Sequence, residues 1–367
     1  MNGDSDSPKS NQRNAMKSRL TVQRKMIFAA FSCVLFFAIC EVCCRVYESL
    51  KPEKTDLAFM SSPISIMRSH PYLAYETNPD YPQHNNLGFR GSIDLSQNYS
   101  GLRIACIGGS TTYGTRVAEP DCYPRVLEKV LQGRYQGLPL EVINAGTAGY
   151  ASHNLIGQLA FKVIPLRPDV LVIDVGHNDL WNLSQFSGAL PDNTHAQRAW
   201  QSSHRAPGWW RNSAFLNKLA WHLGHPPEPP PHIHDVCWHA PSGSPEHNLK
   251  TAGLSTLRNN LLSLVAVARA HKCYPCLCVQ PSDFKHQGGD PILNTGMQQA
   301  AELIVQFGVQ EKVLVIDLRP TMNDEPSFFA DYLHLNVEGE KKRAEVICDA
   351  LEGDQRWKEI VAAISKP

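Results

Sequence analysis

Apolar and polar positions divide the chain into three regimes. Residues 1–25 are polar, with Lys9, Arg13, Lys17, Arg19, Arg24 and Lys25 as cations. An uncharged run of 15 residues, Met26 to Cys40, follows, and it extends to 19 if counted past Glu41 to Cys44. A membrane span needs about 17–25 residues. Glu41 falls near one interface, where a carboxyl group snorkels or takes up a proton. The pattern predicts an uncleaved signal anchor over 26–45, because no small-x-small cleavage site follows it. A cleaved signal peptide is the competing reading. The cations all precede the span, so the basic leader stays in the cytoplasm. Everything past about residue 46 then lies on the periplasmic or extracellular side of a single-pass membrane protein.

Residues 46–100 carry Pro52, Pro63, Pro71, Pro79 and Pro82 and then Asn85-Asn-Leu-Gly-Phe-Arg-Gly91. They read as a stalk that runs into a packing segment. From 101 to 352 the pattern becomes regular. Apolar, β-branched runs at 103–108, 140–145, 169–175, 273–280 and 312–317 predict strands. Helical periodicity falls between them at about 121–135, 152–165, 250–271 and 295–307, and again at 338–351. Near-continuous apolar strands alternating with helices imply an α/β fold with a parallel sheet covered on both faces. Five such strands make one doubly wound, flavodoxin-like domain. Residues 184–247 interrupt the rhythm with Trp200, Trp209, Trp210, Trp221, Trp238 and the run Pro226-Pro-Glu-Pro-Pro-Pro231, and read as an insertion. Residues 353–367 read as a C-terminal tail.

Composition narrows the function. Lysine plus arginine equals aspartate plus glutamate at 35 each, so no global field draws the chain to nucleic acid. The 11 cysteines show no zinc spacing; Cys273, Cys276 and Cys278 alternate in an apolar run and read as core thiols. His232, His234, Cys237 and His239 are metal-ligand types at short spacing. Their Pro-rich, aperiodic context favours a solvated loop, and neither metal nor cofactor is expected.

Ligands of an open α/β sheet sit beyond the carboxyl ends of its strands. Ser110, Gly149 and Asn178 each follow a predicted strand, and Asp331-Tyr-Leu-His334 follows the last one. A serine hydroxyl needs a base, and the base needs an orienting carboxylate. His334 and Asp331 supply both on one short segment. An oxyanion needs donors, and the N–H groups of Ser110 and Gly149 with the Asn178 amide are candidates. His177 fits either a substrate contact or a local hydrogen bond. Asp179 fits an Asx-type loop brace, and Thr111 and Thr112 fit helix caps.

Four segments, Gly108-Gly-Ser-Thr111, Asn144-Ala-Gly-Thr-Ala-Gly149, Gly176-His-Asn-Asp179 and Asp331-Tyr-Leu-His334, resemble the four sequence blocks of the SGNH, or GDSL-type, hydrolases. The resemblance covers about residues 85–351. It implies a five-stranded flavodoxin-like fold, with Ser110 as nucleophile, His334 as base and Asp331 as its orienter. It also implies Gly149 and Asn178 as oxyanion donors beside Ser110. The span followed by a GFRG segment is similar to membrane-anchored bacterial members. One departure is Gly109, where the GDS motif has aspartate. An acyl ester is the implied partner, on a cell-envelope glycan or a lipid, with water or another hydroxyl as acceptor. A membrane-tethered binding protein that keeps the fold without the activity is the alternative.

Overall fold

A computed structural model describes residues 9–50, 66–68, 70, 72–73, 75–185, 187, 193, 199–200, 213–223, 236–237 and 243–365. The chain forms two compact units, one of residues 1–52 with 205–228 and the other of 53–204 with 229–367. In the first, helix α1 runs over Lys9–Leu50. Its Val22–Tyr47 stretch, 26 residues, is long and apolar enough to cross a membrane.

The second unit holds the sheet. Its strands are β1 (Leu102–Gly108), β2 (Leu140–Gly146), β3 (Val170–Val175), β4 (Tyr274–Val279) and β5 (Leu314–Asp317). They pair in parallel in the order β2-β1-β3-β4-β5. This is the flavodoxin-like order, with its crevice where the winding reverses at β1 and β3.

In chain order the helices after α1 are α2 (Ser110–Tyr113), α3 (Tyr123–Arg134), α4 (Ser152–Gln158) and α5 (His177–Gln185). They continue as α6 (Ala214–His222), α7 (Pro245–Ala252), α8 (Ser255–Ala270) and α9 (Pro291–Glu311), and end with α10 (Val337–Gly353) and α11 (Gln355–Ile364). Side chains alternate across each strand. Ala105, Ile107, Leu171, Ile173, Leu277 and Val279 pack into one core with α4, α8 and α9. Ile104, Cys106, Val170, Val172, Cys276 and Cys278 face the other, with α3, α10 and Trp357 of α11. Both faces are therefore covered, which is why these strands lack polar alternation.

Cys276 and Cys278 are thus core thiols, and the ten cysteines whose side chains are described are unbridged. His232, His234 and His239 lie outside the described residues, as do Trp209, Trp210 and Trp238. Residues 199–200 and 236–237 form a two-stranded antiparallel pair within the insertion.

Residues 75–91 pack on the sheet edge. Tyr75 Oη donates to the Ala148 carbonyl at 2.8 Å. Arg90 of the GFRG segment donates to the carbonyls of Tyr113 (2.6 Å) and Val117 (2.7 Å), and its guanidinium lies 4.5 Å from the Tyr113 ring centre. These bonds satisfy backbone carbonyls just past the turn at Ser110.

Candidate active site

β1 ends at Gly108, and the chain turns at Gly109 into the single turn of α2, whose first residue is Ser110. Backbone N–H groups in a first helical turn lack an intrahelical acceptor, so this turn presents donors as well as a hydroxyl. Asp331 and His334 lie past β5 on a tight turn. The Asp331 Oδ1 accepts the N–H of His334 at 2.8 Å and of Leu333 at 3.0 Å. That Asx-type turn folds the imidazole back over its own carboxylate.

The pieces meet. His334 Nε2 lies 2.8 Å from Ser110 Oγ, and His334 Nδ1 lies 2.9 Å from Asp331 Oδ2. With the proton on Nδ1, the ring donates to Asp331 and accepts the serine proton at Nε2. Burial alone would raise the Asp331 carboxyl. The hydrogen bond and charge of His334, with the N–H groups of His334 and Leu333, outweigh it and hold the group well below the usual carboxylate range. The carboxylate therefore stays charged near neutral pH.

Asn178 is the second residue of α5, just past β3. Its Nδ2 donates to the Tyr150 carbonyl at 2.8 Å. One amide hydrogen is thereby fixed, and the planar amide sets the direction of the other. Gly149 precedes Tyr150 with φ +80°, in the left-handed region that suits glycine. The Tyr150 N–H closes the turn onto the Thr147 carbonyl at 3.0 Å. The Gly149 turn and the Asn178 amide are thus joined through Tyr150. Gly109 belongs to the same contact. A Cβ there would sit 2.6 Å from Asn178 Nδ2 and 3.2 Å from the Tyr150 carbonyl oxygen. A side chain at 109 would require that amide to shift, so the glycine at the departure from GDS suits this position of Asn178.

Several residues of the site carry no mark in the sequence. Arg116 donates to Asp331 Oδ2 from Nε at 3.1 Å, with Nη2 at 3.0 Å, so the carboxylate is held from outside as well as by His334. His177 adopts the local role: its Nε2 lies 3.1 Å from Tyr332 Oη, inside the Asp331–His334 turn. Burial lowers its imidazole to about 4, against a hydrogen bond to Asn178 that raises it, so the ring is neutral near pH 7. Asp179 braces the loop as expected, accepting the Ser152 N–H at 3.1 Å and the Ser152 hydroxyl. Burial pushes its carboxyl up to about 6, against those hydrogen bonds.

Thr111 and Thr112 do not cap α2. Both hydroxyls donate to Asp174 Oδ2, at 2.9 and 3.0 Å. Asp174 also accepts from Arg343 Nη2 at 2.6 Å, and both side chains are about 1 % exposed or less. Gln280 donates to Thr111 Oγ1 at 3.0 Å and accepts the His177 N–H at 3.1 Å. One buried network therefore links the ends of β1, β3 and β4 to α10, the helix that follows His334. A lone buried aspartate and a lone buried arginine look alike in sequence to surface charges; only their pairing gives them meaning.

This geometry can deprotonate a hydroxyl, orient the base and donate to a developing oxyanion. Residues 106–342 match the model of the GDSL-like Lipase/Acylhydrolase family. Among solved structures, the chain is similar in fold to a lipase/acylhydrolase from Enterococcus faecalis (19 % identity, 69 % of this chain and 96 % of that one, TM-score 0.43). An acetyl xylan esterase from Geobacillus stearothermophilus gives 17 % identity over 70 % of this chain and 96 % of that one, TM-score 0.42. A G-D-S-L family lipolytic protein from Veillonella parvula gives 12 % over 68 % and 97 %, TM-score 0.42. No curated protein matches the chain. The family match spans well over half of the sequence, from the end of the first strand to the last long helix, and the chain belongs to the GDSL-like lipase/acylhydrolase family.

Proposed function

We propose that the protein is a membrane-anchored serine esterase that works through an acyl-enzyme on Ser110. The observation that carries the reading is the 2.8 Å approach of His334 Nε2 to Ser110 Oγ, with Asp331 2.9 Å from the other ring nitrogen. His334 takes the hydroxyl proton as Ser110 Oγ attacks the ester carbonyl, and Asp331 steadies the resulting imidazolium. The N–H groups of Ser110 and Gly149 and the free hydrogen of the Asn178 amide receive the oxyanion. Collapse expels the alcohol, which leaves with the proton from His334. A water, or another hydroxyl in an acyl transfer, then repeats the sequence on the acyl-enzyme. Residues 26–45 form the anchor behind a basic cytoplasmic leader, and residues 101–352 form the hydrolase domain with its insertion at about 184–247. Residues 46–100 make the stalk and packing segment, and 353–367 close the chain. The domain faces the non-cytoplasmic side, where an acylated envelope glycan or a lipid ester supplies the substrate.

The full chain in detergent is expected to turn over p-nitrophenyl acetate at least about 100-fold faster than buffer, a small part of what positioned nucleophiles achieve. Release at the buffer rate, with the protein folded, would instead identify a binding protein on this fold.

A further inference from the structure

Glu41 places a carboxylate within the apolar stretch, where an unpaired charge is costly. The first unit pairs it in detail. Glu41 accepts from Ser213 Oγ at 2.8 Å, from the Ala214 N–H at 3.1 Å, from the Phe215 N–H at 3.0 Å and from Arg45 Nε at 2.8 Å. Two of these donors open α6, where first-turn N–H groups have no intrahelical acceptor. Each side thus removes a liability of the other: the carboxylate gains donors, and the helix start no longer needs water.

The depth of α6 follows from its other contacts. Phe215 packs edge to face on Phe37 with ring centres 5.7 Å apart. Phe37 lies four residues before Glu41, about 6 Å further into the span. Lys218 Nζ reaches the Cys44 carbonyl at 3.4 Å and lies 4.7 Å from the Tyr47 ring centre. From Phe215 to Lys218 the short helix therefore climbs alongside α1 from apolar depth toward its end. Lysine and tyrosine mark that end, as they do where a span meets the headgroups. Leu219 and Leu223, one helical turn apart, remain 42 % and 66 % exposed. Phe36, Val42 and Val46 of the neighbouring α1 are likewise exposed.

We propose that residues 213–223 form an interfacial helix whose Leu219–Leu223 edge is covered by the lipid bilayer beside the span, so that the insertion is itself a membrane-binding element. The proposal rests on the anchor reading above. An apolar-edged helix of this kind seats in the headgroup–acyl boundary, and the span it is bonded to determines that its occupant is lipid.

Full-length protein carrying p-benzoylphenylalanine at one position, in vesicles of phosphatidylethanolamine and phosphatidylglycerol, tests it by photo-cross-linking read by mass. Phe31, in the middle of the span, reports the anchor; Leu219 reports the inference; Val309, 77 % exposed on α9, reports background. Lipid adducts are expected at Phe31 and at Leu219, each at least about tenfold above Val309, as for side chains seated in the acyl boundary. Adducts at Phe31 with background at Leu219, or cross-links from Leu219 to a second copy of the chain, overturn the inference and leave the anchor standing. Background at Phe31 overturns the anchor and this proposal with it.

Discussion

Replacing Ser110 by alanine is expected to lower kcat for p-nitrophenyl acetate by roughly 10⁴- to 10⁶-fold, the loss that follows removal of a triad nucleophile. In the proposed mechanism this hydroxyl forms the covalent bond, and the 2.8 Å contact with His334 Nε2 falls on that oxygen. What remains comes from donors that still polarise a bound carbonyl. Stability should change by no more than about 1 kcal/mol, because the variant loses one hydrogen bond at a partly exposed position. Turnover measured alongside urea unfolding separates the two effects. A variant within tenfold of the parent, on the general scale of catalytic nucleophile losses, removes Ser110 from the mechanism.

The second large effect concerns the network beneath Ser110. Arg343→Met leaves Asp174 fully buried with only the Thr111 and Thr112 hydroxyls as donors. Breaking a buried ion pair from one side costs about 3–5 kcal/mol. The guanidinium also lies 3.9 Å from the Tyr123 ring centre and donates to the Thr111 carbonyl at 3.2 Å, so further contacts go with it. Adding Asp174→Leu should recover part of the loss, since an apolar pair of similar volume is often no worse than the ions it replaces. Urea unfolding of the parent, the single and the double variant reads this directly. A single variant that loses less than about 1 kcal/mol, the scale of an exposed pair, would show that the pair does not hold the site together.

The sheet was legible because burial on both faces writes near-continuous apolar runs, and each strand appears within two residues of its run. The helices were legible where an amphipathic face persists, and blurred where the backbone breaks. The helix expected over 152–165 is α-helical only to Gln158. It then loosens into a π turn and a tighter turn around Pro165, which cannot donate to the ladder. The helix expected over 250–271 is two helices split at Gly253, whose φ of +62° ends the first. The tail expected over 353–367 instead holds helix α11, in which Trp357, Ile360, Val361 and Ile364 repeat at helical spacing; Trp357 is buried and donates to Tyr135 Oη at 3.0 Å.

Ser110, Gly149, Asn178, Asp331 and His334 could be picked out as candidates because each follows a predicted strand. Arg116, Asp174, Gln280 and Arg343 could not. Their partners in the site lie 62 to 232 positions away, 215 for Arg116 with Asp331. Periodicity carries no signal at such separations. Gly109 shows the converse: its absence of a side chain was visible as a departure, but its neighbour, the Asn178 amide 2.6 Å from where a Cβ would be, is purely spatial.

Reaction of the intact chain with a fluorophosphonate, followed by peptide mapping, tests the covalent role of Ser110 most directly. Stoichiometric phosphonylation of Ser110, abolished in His334→Ala, is the result this account requires. Labelling at some other serine, or none at all by protein that remains folded, contradicts it.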